Sequence, residues 1–155
     1  MPTIATLTWG VKQSFRGYVE ASGGTVAAGA GAERAPDGAF AFAAAPGGSL
    51  ALDAQGRPQG IGGFSGEVAF EAHGGMLKVF FADPAVEIGA DGAVLTVADS
   101  PARDRRIALA KLDLSAAAPG EAGETVIPAA ITLDGMFLLG DHYPPGTPLD
   151  PVRLG

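Results

Sequence analysis

The chain has 155 residues, including 24 glycines and 12 prolines, with 47% hydrophobic residues, 17% charged residues and a formal net charge of −7. This length and apolar content suit one domain with a hydrophobic core, and the many turn-forming residues indicate short elements. The acidic charge argues against a nucleic-acid partner, because phosphate backbones would be repelled. The sequence has no cysteine, which excludes disulfides, thiolate zinc sites, iron–sulfur clusters and cysteine-linked haem. No apolar run reaches the about 20 residues of a membrane span.

A strand and a helix are the first elements that the sequence predicts. Residues 4–9 alternate loosely, as in a strand. After Gly10 the spacing becomes helical, which predicts an amphipathic helix of about three turns with Thr8 as N-cap and Gly23-Gly24 as its stop. The stripe predicted to face inwards holds Val11, Ser14, Phe15, Tyr18 and Val19, and the other side holds Lys12, Gln13, Arg16 and Glu20. Residues 25–37, mostly alanine and glycine, predict a surface loop.

Short strands separated by turn residues are predicted for the rest of the chain. The clearest strand is 64–73, with Phe64, Val68, Phe70 and Ala72 on one face. A Gly74-Gly75 hairpin turn leads to a strand over 76–82, with Leu77, Val79 and Phe81 on one face, and Asp83-Pro84 ends it. Further strands are predicted at 39–42, 49–53, 86–88, 94–97, 105–114 (with Ala108, Ala110, Leu112 and Leu114 on one face) and 125–131, with a turn at 55–60 and a loop at 115–124. Residues 132–139 form either a short helix or a turn and a strand, and 140–155 are extended. Residues 1–155 thus predict a mainly β, single-domain sandwich or barrel-like fold with one or two short α-helices.

Few side chains in the sequence are suited to chemistry. The chain has two histidines, His73 and His142, and two tyrosines, Tyr18 and Tyr143. Each has an ordinary interpretation: Tyr18 as a core residue, His73 as a solvated strand end, and His142-Tyr143 as an aromatic plug. A hydrolase triad built from Ser14 or Ser65 with His73 and an aspartate has no supporting motif.

Four segments of the chain resemble, in order, the motifs of the HtaA-type haem-binding domain of bacterial haem-uptake proteins. The first is WGVKQSFRGYV, at 9–19, and the second is FSGEVAFEAHGGML, at 64–77, followed by Ala82-Asp83-Pro84. The C-terminal signature is LDG at 133–135 together with YPPGTPLDPV at 143–152. The resemblance spans almost the whole chain.

The resemblance implies that haem b binds in its ferric form and that Tyr18 is the ligand to the iron. It also implies that His73 hydrogen-bonds the tyrosine oxygen, and that Ser14 and Tyr143 line the pocket. His142 stands where the family commonly has phenylalanine, which allows a polar contact to haem, a second ligand or a side chain turned to water. We expect Phe15, Met76 and Phe137 to complete an apolar pocket. Lys12, Arg16, Arg105 and Arg106 are candidates for propionate contacts, but solvated surface positions suit them better.

Coordination chemistry supports a tyrosine ligand in a haem carrier. A phenolate is a hard anionic donor that favours ferric iron, and at neutral pH it needs the metal charge and a hydrogen-bond donor to form. A histidine near the oxygen supplies that donor. We therefore predict a non-enzymatic protein for haem capture, transport or storage.

Two other functions and several partners follow from the same sequence. A β-sandwich interaction or adhesion module that binds no haem is the main alternative, and a hydrolase is the third. Besides haem, the expected partner is another haem-uptake protein or a second copy of this chain. The N-terminus lacks signal-peptide features, whereas the family resemblance implies a secreted or cell-surface location.

Overall fold

The computed structural model describes residues 3–155, and strands make up about half (49%) of the structure. Among them are two α-helices, α1 (Gln13–Ala21) and α2 (Leu133–Leu138), and two single 3₁₀ turns, at His73–Gly75 and Leu114–Ala116. The strands are β1 Thr6–Trp9, β2 Thr25–Gly29, β3 Glu33–Arg34, β4 Phe40–Ala44, β5 Ala51–Leu52, β6 Pro58–Gln59, β7 Ile61–Ser65, β8 Glu67–Ala72, β9 Leu77–Gly89, β10 Gly92–Ala98, β11 Arg106–Leu112, β12 Ala118–Pro119, β13 Thr125–Ile131 and β14 Pro148–Leu154. Within residues 3–155, no helix has the length and apolarity to cross a membrane.

Eight of these strands close a barrel. The order of hydrogen-bonded neighbours is β10, β11, β13, β14, β1, β4, β7 and β9, and β9 pairs with β10 to complete the circle. The pairings around the barrel are antiparallel. The prediction of a mainly β, barrel-like single domain is therefore confirmed.

A three-stranded extension, formed by β2, β8 and the first half of β9, projects from the barrel. The first half of β9, Leu77–Ala82, pairs with β8, and β8 pairs with β2. Helix α1 packs on this extension, with the Phe15 ring centroid 5.0 Å from that of Phe70 on β8. The 3₁₀ turn His73–Gly75 forms the tip of the β8–β9 hairpin. The extension therefore brings α1 and the hairpin tip together.

Large aromatic side chains fill the interior of the molecule. Apolar faces predicted from strand alternation are confirmed for β8 and β9, because Val68, Phe70, Val79 and Phe81 are all buried. The largest fully buried side chains are Trp9, Phe15, Phe40, Phe42, Phe64, Phe70, Phe81, Leu7, Leu95, Leu109, Ile127 and Leu139.

Two predicted strand limits are wrong because the backbone bends locally. The predicted strand 64–73 is split into β7 and β8 at Gly66, whose φ of 147° suits glycine. The amide of Gly66 donates to Oδ1 of Asp83 at 3.2 Å. The predicted end at Asp83-Pro84 is instead an irregularity inside β9, where Asp83 has a φ of 49° and the pairing with β10 shifts register. Such a bulge lets a strand continue past residues that would otherwise end it.

Several predictions around small residues and strand faces are also wrong. The predicted surface loop 25–37 contains β2 and β3, and α1 is capped at Lys12, not at Thr8, which lies within β1. In β11 the pairing with β10 shifts register at Leu109, opposite Leu95. Leu109 and Ala110 are therefore both buried, and the face predicted from Ala108 onwards does not alternate regularly. The predicted turn 55–60 contains β6, and the predicted loop 115–124 contains β12. The open choice at 132–139 is decided in favour of a helix.

Candidate functional site

Helix α1 begins where the C-terminal strand β14 supplies a carboxylate. Its N-cap residue, Lys12, makes no side-chain cap. Instead Oδ1 of Asp150 accepts from the amide of Gln13 at 3.0 Å, and Oδ2 accepts from Nη1 of Arg16 at 2.7 Å. Arg16 is 7% exposed, so its predicted placement on the polar side of the helix is wrong. The ion pair explains how a charged residue is accommodated in this buried position.

Tyr18 on α1 and His73 at the hairpin tip are in direct contact. The Tyr18 Oη lies 2.6 Å from Nε2 of His73, and the tyrosine is 44% exposed. His73 has a φ of 55°, so it has left the extended geometry of β8, although the sequence predicted it as the last residue of that strand. The left-handed region is sparsely populated by non-glycine residues, with histidine enriched among them. The turn therefore presents the imidazole to the helix.

His142 and Tyr143 continue this contact into a row of rings. The ring centroid of His142 lies 6.0 Å from that of Tyr18 and 6.4 Å from that of Tyr143. We call His73, Tyr18, His142 and Tyr143 the aromatic row. His142 is exposed and Tyr143 is half-buried. Four of the residues predicted from the sequence thus lie side by side, although they come from three separate parts of the chain.

Apolar side chains around the aromatic row are exposed. Met76, in the same turn as His73, is 91% exposed, and Phe137 in α2 is 62% exposed. The end of α2 reaches the start of β9, because a Cβ at Gly140 would lie 3.4 Å from Leu77 and 3.5 Å from His142. Residues 76 and 137 therefore belong to chain segments that meet beside the row. Exposed apolar side chains grouped beside polar groups are typical of a binding site.

Two predicted lining residues on α1, Ser14 and Phe15, differ in their exposure. Ser14 lies one turn before Tyr18 on the same side of α1. Both side chains are exposed, so their predicted place on the inward-facing stripe of the helix is wrong. Phe15 is fully buried, and its role in lining an apolar pocket stays a prediction. Its ring packs edge-to-face against that of Tyr143, with the two centroids 6.1 Å apart.

The predicted site residues Tyr18, Met76 and Phe137 lie on an open face of the molecule. A cavity of about 640 Å³ does occur elsewhere, lined in part by Thr6, Asp37, Glu124 and Arg153. It contains none of the predicted site residues. The candidate site is therefore defined by its exposed rings and apolar side chains.

The donor set of the site suits a metal that brings other ligands with it. Within residues 3–155, no group of three or more histidine, cysteine, aspartate or glutamate side chains could hold a metal ion. The site instead offers one phenol oxygen in contact with one imidazole. A phenol paired in this way can become an anionic oxygen ligand once a cation replaces its proton.

Comparison with known proteins places the chain in a family. The HtaA family model, described as Htaa, matches residues 4–155. The chain belongs to the HtaA family. The resemblance inferred from the motifs is thereby confirmed. A comparison of the sequence with curated proteins finds no match.

Solved structures of HtaA domains are similar to this HtaA-family chain along its whole length. The C-terminal domain of HtaA from Corynebacterium glutamicum is 27% identical, with a TM-score of 0.72 and coverage of 99% of this chain and 98% of that one. The N-terminal domain of the same protein is 26% identical, with a TM-score of 0.75 and coverage of 99% and 97%. The haem-binding protein HtaB of that organism is 18% identical, with a TM-score of 0.67 and coverage of 97% and 91%, a likeness that concerns the fold.

The structure adds Leu133 to the site, a residue that lies inside the quoted LDG motif but was not predicted as a site residue. Leu133 is 54% exposed and lies one turn before Phe137 on the same side of α2. Helical spacing of these two residues is the signal that would have found it. Lys12 and Asp150 both lie inside the quoted motifs, yet their contacts join α1 to the C-terminal strand and are visible only in three dimensions.

Proposed function

We propose that this HtaA-family chain binds ferric haem b, with Tyr18 as the ligand to the iron and His73 as its hydrogen-bond partner. The observation that carries the proposal is the 2.6 Å contact between Tyr18 Oη and His73 Nε2 on an exposed face. Ser14, His142 and Tyr143 complete the polar part of the site. Met76 and Phe137 supply the apolar part.

The Tyr18–His73 pair can hold a proton in either of two arrangements. When the phenol is protonated, its O–H donates to Nε2; when it is a phenolate, Nε2–H donates to the oxygen. The second arrangement stabilises a negative oxygen, which is the form that binds ferric iron. Bound haem would supply an iron that its porphyrin already holds, so one oxygen from Tyr18 would be enough to fix it.

The exposed apolar side chains fit the flat, apolar macrocycle. Met76, Leu133 and Phe137 are each more than half exposed, and haem would cover such side chains at a gain of about 25 cal/mol per Å² of buried surface. A face that is open to solvent lets a ligand enter and leave without a large conformational change. We therefore propose haem capture, transport or storage, without an enzymatic reaction. The haem-binding neighbour HtaB fits this role, and the role suits a secreted or cell-surface location.

Hemin titration of the purified protein tests the proposal. We expect one hemin per chain, with a high-spin ferric spectrum and charge-transfer bands from the tyrosinate. Tyr18→Phe should abolish or sharply weaken this spectrum, whereas Tyr143→Phe, which removes the other phenol, should preserve the tyrosinate bands. An unchanged spectrum in Tyr18→Phe would remove the ligand assignment.

An interaction module is the second candidate, because exposed Met76, Leu133 and Phe137 also suit contact with another protein. That function predicts no spectral change with hemin and an unchanged melting temperature. Haem binding predicts a higher melting temperature, since a ligand that binds only the folded state stabilises it. A partner such as another haem-uptake protein or a second copy of the chain is compatible with either function.

A further inference from the structure

The structure distinguishes four basic side chains that the sequence left equivalent. Arg16 is committed to Asp150, and Arg105 forms an ion pair with Asp99 at 3.1 Å. Arg106 donates to the carbonyl oxygens of Asp83 and Thr96 at 2.7 Å and 3.1 Å. Each of these three has partners away from the aromatic row. The fourth, Lys12, is a neighbour of the row.

Lys12 is held beside the aromatic row with donors to spare. Its Nζ lies 5.5 Å above the ring centroid of Tyr143 and donates to the carbonyl oxygen of Pro148 at 2.9 Å. Within residues 3–155, no carboxylate lies within ion-pair distance of this ammonium. An ammonium group has three N–H donors. Two of them are therefore available to an anionic group outside the chain.

Lys12 lies at the N-terminal end of α1, and the proposed iron ligand lies near the middle of the helix. Lys12 caps the N-terminus of the helix, and Tyr18 follows six residues later, which corresponds to about 9 Å along the axis. Haem has a similar layout, with its iron at the centre and its two carboxylates beyond one edge. His142 and Tyr143 lie between the two positions, because the His142 ring neighbours that of Tyr18 and the Lys12 ammonium lies over that of Tyr143.

The overall charge makes a local cation important for an anionic ligand. With a net charge of −7, the chain as a whole repels a ligand that carries two carboxylates. A single ammonium beside the site creates a local region of positive potential. Exposed charge pairs contribute little individually, so its effect should be a few-fold change in affinity.

We propose that Lys12 binds a haem propionate and so orients haem with its carboxylate edge towards Tyr143. This inference rests on the proposed function and names the part of the same site that recognises a carboxylate. The iron ligand is a separate contact. Replacing Lys12 should therefore change affinity without changing the iron spectrum.

Two ligands and three lysine variants test the inference. Hemin and hemin dimethyl ester, whose carboxylates are blocked, are titrated into the wild type, Lys12→Met and the control Lys111→Met. Lys111 is exposed on β11, between Val94 and Ala130, and its loss changes the net charge by the same amount. We expect Lys12→Met to weaken hemin about two- to five-fold at low ionic strength, to leave the ester unaffected, and to keep the tyrosinate bands. Lys12→Arg should restore hemin affinity, and added salt should reduce the difference.

The outcomes separate this inference from the proposed function. If Lys12→Met weakens hemin and its ester equally, or weakens neither, the propionate assignment is wrong while haem binding stands. If the Lys111→Met control loses as much hemin affinity as Lys12→Met, only the net charge matters and the assignment is again wrong. If the wild type binds neither ligand, the proposed function itself fails. The two ligands compared on the wild type supply a test that depends on no variant: equal salt dependence of both affinities would also overturn the assignment.

Discussion

At the scale of single residues, the site depends on the unusual backbone position of His73. A left-handed residue between β8 and the following glycines turns the imidazole towards α1, where Nε2 meets the oxygen of Tyr18. A regular two-residue hairpin would have kept residue 73 in the alternation of the strand. The side chain that the sequence pattern assigns to a solvated strand end is thus the nearest neighbour of the phenol.

Replacing His73 tests its role as hydrogen-bond partner. His73→Ala removes the donor that stabilises a phenolate, so we expect hemin affinity to fall by about ten-fold and the tyrosinate charge-transfer band to shift. Absorption titration measures both. Because a purely structural role would change stability and leave the band in place, a variant with the wild-type band would contradict the assignment.

Replacing His142 tests whether it is a second ligand to the iron, one of the three roles that the sequence leaves open. Its ring is exposed and lies beside Tyr18, whose oxygen is already in contact with His73. We expect His142→Phe, which preserves an aromatic ring, to bind hemin with the wild-type high-spin spectrum. Loss of the spectrum, or conversion to a different spin state, would show that His142 is a ligand to the iron.

At the scale of elements, helix α1 is held by a residue from the far end of the chain. Asp150 accepts from the first amide of the helix and from the buried Arg16, while its own amide donates to the carbonyl oxygen of Val11 at 2.8 Å. The indole of Trp9 also donates to the carbonyl oxygen of Asp150 at 2.7 Å. The position of Tyr18 therefore depends on the pairing of the N-terminal and C-terminal strands.

Removing the charge of Asp150 should loosen the helix. Asp150→Asn keeps the size of the side chain but leaves the buried Arg16 without a counter-charge, so we expect the free energy of unfolding to fall by about 2–3 kcal/mol. Urea denaturation measures this change. The control Asp99→Asn disrupts the ion pair of Arg105, which is 70% exposed, and should cost less than about 1 kcal/mol. Equal losses in the two variants would contradict the role of Asp150 in holding α1.

The stability of the fold should depend slightly on pH through Asp37, which forms an ion pair with Arg153 of β14. The amide of Ala39 and the guanidinium of Arg153 lower the pKa of Asp37 below its usual value. A lowered pKa in the folded state stabilises the fold above the unfolded pKa, and this stabilisation is lost as the pH falls through the folded value. We expect Asp37→Asn to be slightly less stable than the wild type at neutral pH, by less than about 1 kcal/mol, with the difference disappearing in acid. Denaturation at several pH values measures it, and a constant difference down to acid pH would show that the charge is irrelevant.

The elements show why some strands can be predicted and others cannot. Strands β8 and β9 alternate large apolar and polar side chains, so their faces follow from the sequence. Strand β2 consists mainly of small residues, and it is a strand because it pairs with β8 beneath α1, which is a tertiary cause. The bulge at Asp83 lies where the pairing of β9 with β8 ends and its pairing with β10 shifts register. Its position therefore also depends on strands that are distant in the sequence.

At the scale of the whole molecule, a closed barrel supports one short sheet that holds the site. Strand β9 belongs to both, so the hairpin tip with His73 is rigidly connected to the barrel. Helix α2 packs closely on β11, where a Cβ at Gly135 would collide with the carbonyl oxygen of Leu109. Three separate segments, α1, the β8–β9 tip and the end of α2, thereby meet on one face.

The residues of this face could be predicted only in part from the sequence. Family motifs pointed to Tyr18, His73, Ser14 and Tyr143, and the structure brings them to one side of the molecule. Burial of Phe15, exposure of Leu133 and the free ammonium of Lys12 depend on how distant segments pack. Local sequence patterns do not predict how distant segments pack against each other.

A crystal structure of the protein with hemin tests the central claim most directly. The account predicts electron density for haem across the aromatic row, with the iron bonded to Oη of Tyr18 and Nε2 of His73 still within hydrogen-bond distance of that oxygen. Crystals in which this face stays empty at saturating hemin, or in which the iron is bound by another residue while the phenol points away, would contradict it.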